Sequence, residues 1–468
     1  MRLLLILALA VQVTSQYDIY DTLKASASCV DKQEDCQKWA RQMPSQCIYN
    51  VFYMASSCAA SCSSHVCRNL AQLEPWKGPA TADGTKLFSV MYPGAYGAAE
   101  QHFRRDPAMG SFFVEGQRMR GAPWLHLSSL GTGTYMGDAD GETDAQVATA
   151  IVASVHKGWN CIDTASNYRD GRGETATGYA LRSLRTANVG ITRDMLFIST
   201  KAGYIADDIA DNLLVKSQKH GGISKGDIGG GNCMHPSCLD ASLSRSLAAM
   251  NIGTVDVLYL HNVEESQRGT LGDQVFMDRL KAAFQWLEKA RAAGRIQAYG
   301  MATWDCFRKP TQQGGLQLQR IVQMAESIGG KNHGFRYVQL PINAGMTEAW
   351  EQRWQTVKTE DTVRQLSFMQ AAARLGVGVF ASAALQEGTL LQDSALEEQL
   401  SKVEELQSIP TFATRLLQIS RSTPYLIAAL IGHKRATHVL QNLDLTGQNP
   451  LSNDTFYRAA RPARQTAA

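Results

Sequence analysis

Between Leu127 and Ile431 the chain alternates short β-rich runs with longer stretches of helical spacing. The runs are Leu127–Thr134, Cys161–Ala165, Leu196–Lys201, Val255–His261, Ile296–Thr303, Tyr337–Asn343, Gly378–Leu385 and Tyr425–Ile431. Helical segments lie between them, among them Asp144–His156, Glu174–Leu184, Leu239–Met250, Met277–Ala293 and Thr362–Leu375. Strands that alternate with helices pair in parallel, because the helix is the crossover that returns the chain to the same end of the sheet. Right-handed crossovers over this length fit closure into a (β/α)8 TIM barrel. A doubly wound open sheet is the competing α/β fold. No GxGxxG follows an early strand, which argues against it.

A barrel of this kind carries its chemistry at the C-terminal ends of the strands and in the loops just beyond them. Four ionisable residues fall there: Asp163 in the second run, Tyr168 in the loop after it, Lys201 at the end of the third and His261 at the end of the fourth. Each alone has an ordinary structural use, as a helix cap, a loop anchor, a solvated lysine or a satisfied histidine. Together they have the complementary types that a carbonyl–alcohol reaction needs. A free phenol has a pKa of about 10, and a nearby ammonium stabilises its anion. Lys201 can supply that charge, Asp163 can keep Lys201 ionised and oriented, and His261 can hydrogen-bond a carbonyl oxygen. Tyr168 is then the general acid of reduction and the base of oxidation.

The same stretches resemble the aldo-keto reductase family. WNCIDTASNYRDGRGETATGYAL, FISTK, VDVLYLH, GRIQAYGMATW and YVQLPIN follow its landmarks in order. The resemblance implies NADP(H) as the hydride carrier, with NAD(H) as second choice, and a small carbonyl or alcohol as substrate. It makes Asp163, Tyr168, Lys201 and His261 the catalytic tetrad and Gln339 the partner of the nicotinamide amide. The family's Ser-Asn pair falls on Ala302 and Thr303, of which Thr303 keeps a hydrogen-bonding side chain. Its nicotinamide-stacking aromatic falls on Ser382. The run IGHKRATHVLQN implies adenosine-phosphate contacts at Gly432, His433, Lys434, His438 and Asn442, with Lys434 and Arg435 supplying charge for a 2′-phosphate. The alternative is a non-catalytic binding or regulatory protein on the same scaffold.

The N-terminal part is different. Met1–Ser15 has one Arg, an apolar run too short to span a bilayer, and small residues at Val13 and Ser15, as a signal peptide does. Cys29, Cys36, Cys47, Cys58, Cys62 and Cys67 follow closely. An even cysteine cluster behind such a leader predicts disulfides and a place in the secretory pathway, either the ER lumen or outside the cell. The lack of paired CxxC units argues against zinc, and no metal site is expected elsewhere. Spacing alone cannot choose among the pairings. CVDKQEDC, Trp39-Ala40, Asn50, Tyr53-Met54 and SCAASC resemble a ShKT domain, which implies Cys29–Cys67, Cys36–Cys58 and Cys47–Cys62. Phe52 stands where channel-blocking members carry Lys, so a spacer or protein-contact role is expected.

The expected division is a signal peptide over 1–15, the ShKT-like module over 29–67, a linker over 68–120 and the barrel over 121–460. Cys233 and Cys238 lie in the long Gly203–Cys238 segment, which is read as a lid or specificity loop; a disulfide and two free thiols stay equally open there. The net charge of +3 gives no reason to expect nucleic acid as partner. No membrane span is expected.

Overall fold

The computed structural model describes residues 73–92, 100–106, 113–114, 117–118, 124–186, 190–220 and 222–460. The leader and the six clustered cysteines lie outside these residues. Eight parallel strands close into a barrel: β1 Leu130–Gly133, β2 Cys161–Asp163, β3 Phe197–Ala202, β4 Val255–His261, β5 Ile296–Ala302, β6 Phe335–Pro341, β7 Gly378–Ser382 and β8 Leu426–Gly432. Each pairs with the next in sequence, and β8 closes on β1 through Ala429 to Leu130 and Gly432 to Gly133. Every residue of β3 and of β4 is buried. Strands covered on both faces read as near-continuous apolar runs, which is why the alternation was legible. At the β5 bulge, a Cβ on Gly300 would come within 2.1 Å of the Tyr337 carbonyl oxygen, so only glycine allows the two strands to close there.

The barrel interior is filled rather than open. Cys161, Phe197, Val257, Tyr259, Tyr337, Phe380 and Ala428 form one buried cluster, with Phe197 stacked on Phe380 at 5.3 Å. A larger cluster lies between the strands and the surrounding helices.

Two expected elements differ. The first expected strand, Leu127–Thr134, is two strands. Leu125–Ser128 pairs antiparallel with Phe103–Asp106, and the barrel strand begins only at Leu130. The break falls at Ser129, whose N–H donates to the His102 carbonyl instead of a neighbouring strand. The expected helix Thr362–Leu375 keeps only Phe368–Arg374, where the Ser367 hydroxyl and the Gln370 amide cap each other's backbone. Val363–Leu366 is instead a strand in a hairpin with Gln355–Lys358.

The described part of 68–120 is not a free connector. Helix Ala82–Met91 buries Phe88 and Tyr92 against the barrel helices, a contact worth about 2–3 kcal/mol for the phenyl ring alone. Ala80 N donates to Asp256 Oδ1 at 2.5 Å, and the Tyr337 hydroxyl donates to Asp106. Leu125 and Leu127 join the interior cluster. These residues form a floor across the N-terminal end of the barrel. Gly121 is therefore not where packing begins. The compositional signal for a linker arose because the floor is built from short pieces with no sustained period. Among the described residues no helix is long and apolar enough to cross a membrane.

Candidate active site

Asp163, Tyr168 and His261 line one cleft, and Lys201 lies buried against Asp163 and the ring of Tyr168. Asp163 is the last residue of β2, His261 the last of β4, and Lys201 sits one residue from the end of β3. Lys201 Nζ donates to Asp163 Oδ2 at 2.6 Å and to the Thr164 carbonyl at 2.8 Å. Asp163 Oδ1 accepts from Ser199 Oγ at 2.7 Å and from Gln339 Nε2 at 2.9 Å. This carboxylate thus has partners on both oxygens, and it holds the ammonium in place. Lys201 Nζ lies 4.5 Å from the centre of the Tyr168 ring, and Tyr168 meets the His261 ring edge-on at 5.8 Å.

Tyr168 stands on a tight turn. Arg169 and Asp170 take left-handed φ values of 51° and 56°, a conformation uncommon for residues with a Cβ. Buried Arg169 secures it through Asp144 at 2.9 Å and the Asp138 carbonyl at 3.1 Å. A Cβ on Gly173 would stand 3.0 Å from Tyr168 Cβ and 3.1 Å from the Thr134 and Thr164 hydroxyls, so glycine lets the helix that follows lie close against the tyrosine.

The electrostatics follow from burial. Burial opposes charge on Lys201, but Asp163 and Tyr168 outweigh it and hold the ammonium above its ordinary pKa. Burial, helped by Lys201, pushes His261 well below its ordinary value, so the imidazole is neutral. For Tyr168 burial wins over the attraction of Lys201, and the phenol is held above 10. The charge of Lys201 alone would give the opposite sign, but the loss of water around a phenolate outweighs it.

The cleft has a volume of about 540 Å³, within the usual range for a small-molecule site. Asp163, Tyr168, His261, Gln339, Thr303, Ser382, Gly432 and His438 all line it. Lys434 lies beside it, so close over Gly137 that a Cβ there would come within 2.7 Å of Nζ. Thr303 lines the cleft with its hydroxyl already donated to Glu265 Oε1. His433 and Asn442 go elsewhere. The His433 ring stacks on buried Trp159 at 5.3 Å, bonds Ser154 Oγ at 3.1 Å and meets Asn442 Nδ2 at 3.3 Å. The sequence assigns both to a cofactor, whereas their side chains serve the packing of helix Ala436–Leu443 on helix Gly141–His156.

Sequence reading missed the aromatic wall of the cleft. Tyr135, Tyr204 and Trp304 each lie two residues beyond the end of a strand, β1, β3 and β5 respectively, and all three line the cleft. The rule that points to Lys201 and His261 reaches them once it is extended from charged groups to aromatic rings just past the strand ends. Tyr204 opens the long segment after β3 and meets His261 edge-on at 5.1 Å. Further along that segment, Asn232 Nδ2 donates to the His261 carbonyl at 2.7 Å, and a disulfide joins Cys233 to Cys238. The segment therefore braces the end of β4.

Residues 129–309 match the Aldo/keto reductase family, a span that runs from the start of β1 past β5. Similar solved structures include an aldo/keto reductase from Klebsiella pneumoniae in complex with NADP and acetate, 18% identical, covering 73% of this chain and 95% of that one at a TM-score of 0.49. An aldo-keto reductase from Bacillus halodurans in its holo form is 16% identical, covering 73% and 95% at a TM-score of 0.46. No curated protein matches the chain.

Proposed function

We propose that the barrel is an aldo-keto reductase that uses NADP(H) to reduce an aldehyde or ketone to an alcohol, or runs the reverse reaction, with Tyr168 as proton donor and acceptor. The observation that carries this reading is the buried Lys201–Asp163 pair held against the ring of Tyr168 in a cleft shared with neutral His261. The family match supports it, since the matched span includes all four residues.

The residues present fit a dinucleotide. Gln339 donates its amide to Asp163, which leaves its oxygen for an amide N–H of a ligand. Ser382 lines the same wall, and Gly432 and His438 line the far part of the cleft. Helix Ala436–Leu443 begins just after Lys434 and Arg435, and a helix N-terminus beside two cations suits a phosphate. Gln339, Ser382, Gly432, Lys434 and His438 would hold NADP(H), which supplies the hydride when bound.

The chain's own residues supply the rest. Tyr168, kept protonated by burial, gives its proton to the alkoxide oxygen as charge develops there. Lys201 then faces the phenolate it has left and stabilises it. Asp163 keeps Lys201 charged through the cycle. His261, being neutral, can donate one hydrogen bond to the substrate oxygen without adding a competing acid.

The leader and clustered cysteines support a secretory location with the ShKT-like module attached. The Cys233–Cys238 disulfide agrees with an oxidising compartment. The test is to mix purified full-length protein with NADPH and a panel of aldehydes and follow NADPH absorbance. Aldehyde-dependent consumption is expected. NADPH binding without turnover of any carbonyl would leave the non-catalytic alternative standing.

A further inference from the structure

Glu265 lies in the first turn of helix Val263–Leu271, directly after β4, and reaches across to the loop after β5. Its Oε1 accepts from Thr303 Oγ1 at 2.5 Å, from Trp304 N at 2.7 Å and from Asp305 N at 2.8 Å. Three consecutive residues therefore hang on one carboxylate oxygen. Hydrogen bonds to a charged acceptor are roughly twice as strong as neutral ones. The loop is tied a second time from within, where Cys306 N donates to Thr303 Oγ1 at 3.3 Å. Such a loop cannot slide along the cleft without breaking all of these bonds together.

Trp304 is the middle residue of the three. Its backbone is pinned, its side chain lines the cleft, and it stays 39% exposed. Tyr135, on the same cleft, is 51% exposed and meets Tyr168 edge-on at 5.1 Å. Large rings left open to water on a cleft gain free energy when a flat apolar ligand covers them. The charges point the same way. No Lys or Arg lines the cleft, and its two carboxylates are Asp163, already paired with Lys201, and Glu387. A carboxylate on the substrate would find no Lys or Arg on the lining and would face Glu387, while Lys434, beside the cleft, is taken up by the cofactor in the reading above.

We propose that Glu265 is a positioning residue that holds Trp304 as the specificity wall, and that this wall selects an uncharged, ring-bearing carbonyl over a small aliphatic or an anionic one. The proposal rests on the reductase reading of the site. Its electrostatic half follows from the lining residues alone, and its geometric half follows from the tie.

The experiment compares benzaldehyde, 4-carboxybenzaldehyde and propanal with NADPH, using the full chain and the variants Glu265→Ala, Glu265→Gln and Trp304→Ala. The native chain is expected to prefer benzaldehyde to each of the others by about tenfold or more in kcat/KM. Glu265→Ala should lower the benzaldehyde-to-propanal ratio about tenfold, mainly through KM for benzaldehyde. Glu265→Gln, which keeps an oxygen acceptor, should stay close to the native ratio. Trp304→Ala should match Glu265→Ala, and the double variant should lose no more than either, because both act through one wall. Calorimetric titration of benzaldehyde onto the NADPH-loaded protein gives the same comparison without turnover, and melting temperatures separate a loosened loop from an unfolded one. An unchanged ratio and unchanged benzaldehyde affinity in folded Glu265→Ala would overturn the positioning role, as would a preference for 4-carboxybenzaldehyde. If no aldehyde consumes NADPH, the reductase reading fails, and the titration still decides whether Glu265 and Trp304 shape the cleft.

Discussion

The two ends of the barrel each bury an ion pair, yet they use it differently. At the floor, Arg193 Nη2 meets Asp256 Oδ2 at 2.7 Å, and both side chains are almost wholly covered. Backbone groups complete the pair: Asp256 accepts from Ala80 N at 2.5 Å and Ile198 N at 2.7 Å, while Arg193 donates to the Leu196 and Thr254 carbonyls. At the open end, Lys201 and Asp163 meet at 2.6 Å with similar burial, but the ammonium also faces the ring of Tyr168 in a solvent-connected cleft. The floor pair ties chain segments far apart in sequence. The upper pair shares its charge with a titratable phenol. Burial strengthens both; what lies beside the charge separates a structural pair from a chemical one.

The sharpest way to break this comparison is at the open end. Tyr168→Phe should lower kcat about 10³-fold, because only the proton donor is lost. NADPH affinity by fluorescence titration and melting temperature should stay near native, since the ring and its packing remain. A substitution that spared kcat would remove Tyr168 from the mechanism and make the upper pair as purely structural as the lower one.

The matching disruption at the floor is Asp256→Ala. It leaves Arg193 buried without its partner and two backbone donors unmet, which should cost about 3–5 kcal/mol. Urea denaturation should record that loss, while kcat per folded molecule stays near native at low temperature. A stability loss below about 1 kcal/mol would show that the floor does not depend on this charge.

What the sequence reveals follows the same division. The barrel was legible because buried parallel strands read as apolar runs, and the gathering of Asp163, Tyr168, Lys201 and His261 was legible because ionisable residues stand at or next to the ends of three of them. The floor was not: Ala80, Asp106 and Leu127 act through partners such as Asp256 and Tyr337, more than 100 positions away, and no local period announces such pairings. The side chains of His433 and Asn442 turn away from the cleft for a related reason. A motif gives residue order along the helix start, but packing against Trp159 decides which side chains turn inward. The Tyr168 shift went the other way because burial, which single-sequence reasoning weighs poorly, outweighs one visible charge.

A smaller effect tests the far part of the cleft. Lys434→Ala should weaken NADPH about tenfold and NADH less than twofold, because only NADPH carries the 2′-phosphate. Dissociation constants for the two cofactors measured side by side check this. Equal weakening of both would assign Lys434 to general cofactor attraction instead.

The smallest expected effect is a flat line, and it discriminates most finely between the two kinds of buried pair. Reduction needs Tyr168 as phenol, and oxidation needs it as phenolate. Burial holds the phenol above its ordinary value of 10, with Lys201 offsetting only part of that push. Below this range the phenol dominates, so kcat for reduction should not change between about pH 7 and pH 9. His261 adds no acid limb in that window, because burial keeps it neutral from well below its ordinary 6.5 upward. Oxidation of the corresponding alcohol draws on the scarce phenolate, so its kcat should rise about tenfold per pH unit over the same window, without a plateau. Lys201→Met removes the charge that favours phenolate, which should depress oxidation further at every pH while leaving its slope unchanged. Pre-steady-state rates in both directions isolate the proton-transfer step from product release. A plateau of the oxidation rate near pH 8 would mean that Lys201 prevails over burial after all. The upper pair would then set the acidity of Tyr168 outright and not merely moderate it.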